Sequence, residues 1–288
     1  MTRTATAAVV GAVAARGAYR VLTAWPPGGA GRWRRENNRG RAVTLLEGPA
    51  VAAGIAVGAL VAPGVPGAVR LAGCGAAVGA GVVGLYDDLN ERGKVKGLRG
   101  HVGALARGEV TTGAVKLIGI GATGVAAGSL LRRSMLDRAL AAVVVAGAAN
   151  AVNLFDLRPG RAVKAAVIGG AAGVTRGGAF GAAALGAAAA LLPEDLGERA
   201  MLGDGGANAL GAALGVATAA RASRTGLIAA ALGLAALTAA SEKVSFTKVI
   251  AATPPLRFLD ELGRVRPAQN AVPGSGSGGE KQGEISHG

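Results

Sequence analysis

Three acidic motifs interrupt an otherwise apolar chain: Tyr86-Asp87-Asp88, Asn153-Leu-Phe-Asp156 and Gly203-Asp204-Gly205. Each falls where a long Ala/Gly/Val/Leu run meets a polar loop. Carboxylates are costly beside hydrocarbon, so their repeated placement at such boundaries points to a shared polar site at a membrane face. Carboxylate oxygens are hard ligands suited to Mg²⁺, which keeps several waters and needs no cage made wholly of protein. Adjacent residues on a helix diverge by about 100°. Asp87 and Asp88 therefore cannot play the same part, and one is expected to hold metal while the other orients or deprotonates a substrate. Asp204 is expected to complete the metal shell, making Asp87 and Asp204 the metal candidates and Asp87, Asp88 and Asp204 the catalytic ones.

The surrounding residues point to a phosphate-bearing substrate. Lys116 enters an apolar segment, where an ammonium requires a carboxylate or phosphate partner. Asn150, Asn153 and roughly Leu157 recur on one helical face, giving a directed polar surface that leads to Asp156. Arg158, Arg161 and Lys164 follow and form a positive group able to clamp a diphosphate, although contact with lipid headgroups would use the same chemistry. Arg92, Lys94, Lys96 and Arg99 form another such group after the acidic pair.

These residues must be positioned by membrane helices. The 288-residue chain is 51% hydrophobic and only 17% charged, with 50 glycines; its mean hydropathy is +0.42. A soluble domain is typically about one-quarter charged. Small residues within apolar runs let helices pack closely in lipid. The expected fold is all-α: a polytopic, multi-pass integral protein of the cell membrane. About nine transmembrane helices are predicted, near residues 5–25, 49–67, 69–85, 112–131, 137–154, 163–175, 177–192, 207–220 and 225–240. The first of these resembles a signal peptide around Ala12-Val-Ala-Ala-Arg16, but Arg16 and Arg20 interrupt it, and a retained helix is expected.

With the N-terminus outside, loops 26–48, 86–111, 155–162, 193–206 and 241–288 are cytoplasmic, and all three acidic motifs share that side. Arg132, Arg133, Arg138, Arg176, Arg221 and Arg224 remain outside, so the positive-inside bias is incomplete. The net charge of +14 is read as topology signal and anionic-lipid contact rather than nucleic-acid binding. The lone Cys74 permits neither a disulfide framework nor a thiolate zinc site. Residues 241–266 alternate apolar and charged side chains, are broken at Pro254-Pro255, and are expected to lie along the membrane interface. The transmembrane domain is taken as 1–266; the Gly/Ser-rich tail 267–288, which carries His287, is expected to be disordered.

Taken in order, Gly84-Leu-Tyr-Asp-Asp-Leu89, Lys116, Asn150-Ala-Val-Asn-Leu-Phe-Asp156 and Met201-Leu-Gly-Asp-Gly-Gly206 resemble the motif series of the polyprenyl-phosphate N-acetylhexosamine-1-phosphate transferase superfamily. That superfamily includes the phospho-N-acetylmuramoyl-pentapeptide transferases, and the resemblance covers roughly residues 30–255. It implies Mg²⁺-dependent transfer of a sugar-1-phosphate from a UDP-sugar to polyprenyl phosphate, releasing UMP, in cell-envelope glycan synthesis. It assigns Asp87 and Asp88 to metal and acceptor phosphate, Asp204 to metal, and Lys116 to phosphate. Asn150, Asn153, Asp156, Arg158 and Arg161 are the remaining substrate-binding candidates.

The sequence also departs from the family pattern. Asp156 is followed by Leu157-Arg158-Pro159-Gly160, so Pro159 replaces a second Asp associated with the nucleotide end of the donor. Gly-Asp-x-Gly-Ser has become Gly-Asp-Gly-Gly-Ala207, followed by Asn208. Ser241-Glu-Lys-Val-Ser-Phe-Thr-Lys248 stands where a His-rich loop is usual, and His101 is the only histidine outside the tail. These departures keep open the alternative of a catalytically inactive polyprenyl-phosphate-binding protein; a Lys/Arg-lined small-molecule transporter is a second alternative from another class. The Ala/Gly-rich helices are equally compatible with packing within one chain and with a homodimer.

Overall fold

The computed structural model describes residues 2–90, 103, 107–108, 111–175 and 178–265. Arg92, Lys94, Lys96, Arg99, His101, Arg176, the tail 267–288 and His287 lie outside the described residues.

The described chain contains twelve helices. In order they are α1 (Arg3–Ala24), α2 (Ala30–Trp33), α3 (Glu47–Val61), α4 (Gly67–Asn90), α5 (Thr112–Leu131), α6 (Met135–Phe155), α7 (Arg161–Thr175), α8 (Ala179–Leu196), α9 (Gly203–Arg221), α10 (Arg224–Ser241), α11 (Phe246–Ala252) and α12 (Pro254–Glu261). Each of the nine apolar segments predicted from sequence contains a helix, although the second, 49–67, is helical only to Val61. Five of these helices, α4, α5, α6, α8 and α10, are long and apolar enough to cross a membrane, and α3 is a shorter apolar helix. Large apolar side chains are exposed on the outer faces, including Val13, Leu71, Val82, Ile118, Val125 and Leu232. Such an exterior fits contact with lipid rather than water.

Local chemistry sets the helix ends. The side chains of Thr2, Thr111, Ser134 and Ser223 accept from first-turn amides of α1, α5, α6 and α10 at 3.1–3.3 Å, satisfying donors that an isolated helix leaves open. At other ends arginines cap carbonyls: Arg70 donates to Ala62 and Val65 beyond α3, and Arg132 to Ala219 and Ala222 at the end of α9. Arg224 pairs with Asp137 at 2.7 Å. Arg132 and Arg224, both exceptions to the positive-inside pattern, therefore have structural partners at these turns.

The helices approach closely because small residues face one another. A Cβ at Gly215 would lie 2.6 Å from Val145 Cα, and one at Gly124 would lie 2.6 Å from the Ala142 carbonyl oxygen. Helix α9 occupies the centre, packed on α3, α4, α6 and α8, and its Ala207–Ala213 stretch is buried on every side. Short connections join α5 to α6 and α9 to α10, so these neighbours run antiparallel. The end of α4, the start of α5, the end of α6 and the start of α9 consequently meet at one end of the bundle.

Two features were not expected from the sequence. Loop 26–48 contains an antiparallel hairpin, β1 (Arg34–Glu36) paired with β2 (Ala42–Thr44), and Thr44 bridges to Ala200 in parallel. Helix boundaries also shift: α4 runs past Asp88 to Asn90, and α9 begins at Gly203 rather than near 207. Both acidic motifs therefore lie on helical turns rather than in the loops assigned to them.

Candidate functional site

The first turn of α9 has no side-chain cap of its own. Asp88, reaching across from α4, fills that role: its Oδ1 accepts from the Asp204 amide at 3.0 Å and its Oδ2 from the Gly205 amide at 2.9 Å. A carboxylate at a helix N-terminus gains from both the open donors and the helix dipole. Gly203, at φ +62°, turns the chain into this helix, and a Cβ there would lie 2.9 Å from Asp88 Oδ2. A left-handed backbone beside that carboxylate requires glycine. Arg35 of β1 donates to the Asp88 carbonyl oxygen at 2.7 Å, tying the hairpin to the end of α4.

Asp87 points elsewhere, as the divergence between helical neighbours requires. The Lys116 ammonium on α5 contacts Asp204 Oδ2 and lies 3.4 Å from Asp87 Oδ2. With the Asn153 amide assigned by its hydrogen bonds, its nitrogen donates to Asp204 Oδ1 at 2.7 Å and its oxygen accepts from Lys116 at 3.1 Å. Side chains from α4, α5, α6 and α9 thus converge on one cationic position. Asp87 and Lys116 are largely enclosed, at 14% and 15% side-chain exposure, while Asp204 is more open at 27%.

Asp156 lies just beyond α6, and its carboxyl is held well above its ordinary range. Desolvation is the main cause, followed by the charges of Asp195, Asp204 and Asp88, against a lowering hydrogen bond from the Gly203 backbone. It therefore adjoins the same helix start as Asp88. A cavity of about 200 Å³ opens between the hairpin, the Asp156–Pro159 turn and the 195–201 segment.

The other sequence-selected residues have different partners. Asn150 donates to Thr238 on α10 at 3.0 Å, joining two helices rather than facing Lys116. Leu157 lies past the end of α6 and is 58% exposed, so the expected shared face of Asn150, Asn153 and Leu157 is not continuous. Arg158 faces Asn38 in its assigned amide orientation. Arg161 forms a two-pronged contact with Asp260 at 2.7 and 3.0 Å. Arg264 reaches the same carboxylate at 2.9 Å and the Pro159 carbonyl oxygen at 2.9 Å. Lys164 donates to the Asp260 and Leu262 carbonyls. This basic group anchors α12 to the turn after Asp156.

Several contributors were not singled out from the sequence. Asp195 accepts from the Gly160 amide at 2.9 Å. Glu198 is buried at φ +53°, paired with Arg39 at 2.5 Å and Asn37 at 2.9 Å. Glu47 is fully buried, and neither carboxylate oxygen has a hydrogen-bond partner among the described residues. The signal available for Glu47 was an acid beside an apolar run.

No group of three or more His, Cys, Asp or Glu side chains among the described residues is gathered closely enough to hold a metal ion. Mg²⁺ commonly takes only one or two carboxylates, completing its shell with water and substrate phosphate. Asp88 is held by backbone amides, whereas Asp87 and Asp204 converge on a single cation, the Lys116 ammonium. That donor set fits a hydrated divalent ion. No protein-family model matches the chain, and no curated protein matches it in sequence.

Proposed function

We propose that this chain is a divergent phosphoglycosyl transferase of the cell membrane, related to the polyprenyl-phosphate sugar-1-phosphate transferases. In this reading the helices of all nine apolar segments cross the bilayer, the N-terminus lies outside, and the acidic end of the bundle faces the cytoplasm. The substrates are a nucleotide sugar, with UDP as the expected nucleotide, and a polyprenyl phosphate from the surrounding lipid. The supporting observation is the meeting of Asp87, Asp204 and Asn153 on Lys116 beside the Asp88-capped start of α9.

In the proposed reaction an oxygen of the lipid phosphate attacks the sugar-bearing phosphorus of the donor. A new P–O–P linkage forms, the bond to the nucleoside monophosphate breaks, and that monophosphate leaves with the electron pair. Lys116 binds phosphate oxygens and offsets their charge, and Asn153 orients the Lys116–Asp204 pair. Asp88 fixes the start of α9 and hence the position of Asp204. Asp87 and Asp204 would hold Mg²⁺, which supplies Lewis-acid stabilisation of charge on the transferring phosphoryl group. Acceptor phosphate is largely ionised near neutral pH, so little general-base assistance is needed.

The test is mass spectrometry of lipid products after incubation of the purified protein with polyprenyl phosphate, Mg²⁺ and a mixed nucleotide-sugar panel. A lipid-diphosphate sugar supports the proposal and names the donor. Lipid binding that survives metal removal, with no product from any donor, would support the binding-protein reading instead. Solute uptake into sealed vesicles without phosphotransfer would indicate a transporter.

A further inference from the structure

Asn208 is fully buried on α9, and neither its amide nitrogen nor its amide oxygen has a hydrogen-bond partner among the described residues. A buried amide is rarely left in this state; an ordered water or ion usually completes it. Its place in the bundle identifies what could do so. Asn208 lies one helical turn from Asp204, on the side toward the bundle interior. On the facing helix, Gly84 lies one turn before Asp88. A Cβ at Gly84 would strike the Asp204 carbonyl and come within 2.8 Å of Asn208 Nδ2. The amide therefore lies at the contact between α4 and α9, one helical turn inside Asp204.

Asp88 is engaged by two backbone amides, so Asp87 and Asp204, which share the Lys116 ammonium, are the carboxylates left to hold a divalent ion. Such an ion retains waters, and a water on its inner side would border the buried Ala207–Ala213 stretch of α9, in which Asn208 is the one polar side chain. That water needs a polar partner from the protein. Resting on the divalent-ion reading above, we propose that Asn208 is a positioning residue for the ion of Asp87 and Asp204, holding through its amide a buried water that closes the inner side of the hydration shell. Side chains that hold the partners of a metal commonly change affinity by about 10–100-fold when removed.

The test uses purified full-length protein and Mn²⁺ as probe, with electron paramagnetic resonance reading both free Mn²⁺ and the line shape of bound Mn²⁺. Asn208→Leu keeps the branching of the side chain and removes the amide; it is expected to weaken Mn²⁺ binding by about tenfold or more and to alter the bound spectrum, while Asn208→Ser, which can still hold a water, stays within about threefold of wild type. Thermal unfolding without metal is measured alongside, so that any overpacking by the larger leucine side chain is read separately from the loss of Mn²⁺ affinity. Wild-type affinity and line shape in Asn208→Leu would overturn the assignment while leaving the ion site standing. If wild type itself binds no Mn²⁺, the ion site falls and the role of Asn208 with it. Should the leucine variant not fold, Asn208→Ala replaces it, and equal affinity of the alanine and serine variants would overturn the assignment.

Discussion

Asp88 on α4 caps α9 across the helix interface, placing its two carboxylate oxygens 3.0 and 2.9 Å from the amides of Asp204 and Gly205. One carboxylate thereby couples the acidic pair to the third acidic residue without contacting its side chain. Asp88→Ala is predicted to lower stability by about 1–2 kcal/mol through loss of an N-terminal cap and a favourable charge–dipole interaction. Asp88→Asn retains one acceptor and should be less destabilising. Chemical denaturation in detergent measures the difference, and an alanine variant as stable as wild type would contradict the capping role.

Gly84 allows that approach. Because its added Cβ would meet the backbone carbonyl of Asp204, Gly84→Ala must separate α4 from α9. A loss of about 1–3 kcal/mol is expected for such overpacking, together with reduced turnover. The lipid-side Gly75→Ala is the control: nothing lies within 4 Å of its added Cβ, and it should be neutral or stabilising. Equal behaviour of the two variants would show that the α4–α9 spacing is not constrained at Gly84.

The clamp on α12 predicts a specific acid response. Burial alone would raise the Asp260 carboxyl, but the Arg161 hydrogen bond and the charges of Arg161, Arg264 and Lys164 carry it below its usual value. A lowered carboxyl stabilises the fold above its unfolded value, about 3.9, and that contribution is lost as pH falls through the still lower folded value. Hydrogen-exchange protection of α12 should thus be flat over roughly pH 5–8 and fall only in strong acid. Asp260→Asn should weaken protection across the whole range. Protection that already declines near neutral pH would contradict this assignment.

Asp156 predicts the opposite sign. Its carboxyl is raised by desolvation and neighbouring acids, so ionisation opposes folding as pH rises from about 3.9 through the raised folded value. Asp156→Asn should raise Tm at neutral pH, with the gain shrinking toward zero in acid. A pH-independent Tm difference would point to packing instead of charge.

Much of this arrangement was legible in the sequence because hydrophobic segmentation and acidic motifs are strong signals in an apolar chain. All nine segments contain a helix, and the motifs meet because antiparallel helices return their ends to one side. The hairpin was harder to find: Arg34-Arg35-Glu36 carries no apolar alternation, and its pairing with Ala42-Val43-Thr44 depends on a turn in which Gly40 adopts φ +72°. Motif boundaries were displaced because Asp88 caps α9 from a different helix, a long-range contact that local propensity does not encode. Arg161 illustrates the same limit. Its charge fits a diphosphate equally well, and only the fold of the C-terminal segment reveals Asp260 as its partner.

The central claim is Mg²⁺-dependent phosphoglycosyl transfer at the Asp87–Asp204–Lys116 cluster, and turnover by Asp204→Asn tests it most directly. With the donor identified, the variant should fold, bind polyprenyl phosphate and lose at least about 100-fold in turnover, the scale expected when a principal group stabilising developing charge is removed. Full Mg²⁺-dependent turnover by folded Asp204→Asn would contradict the account.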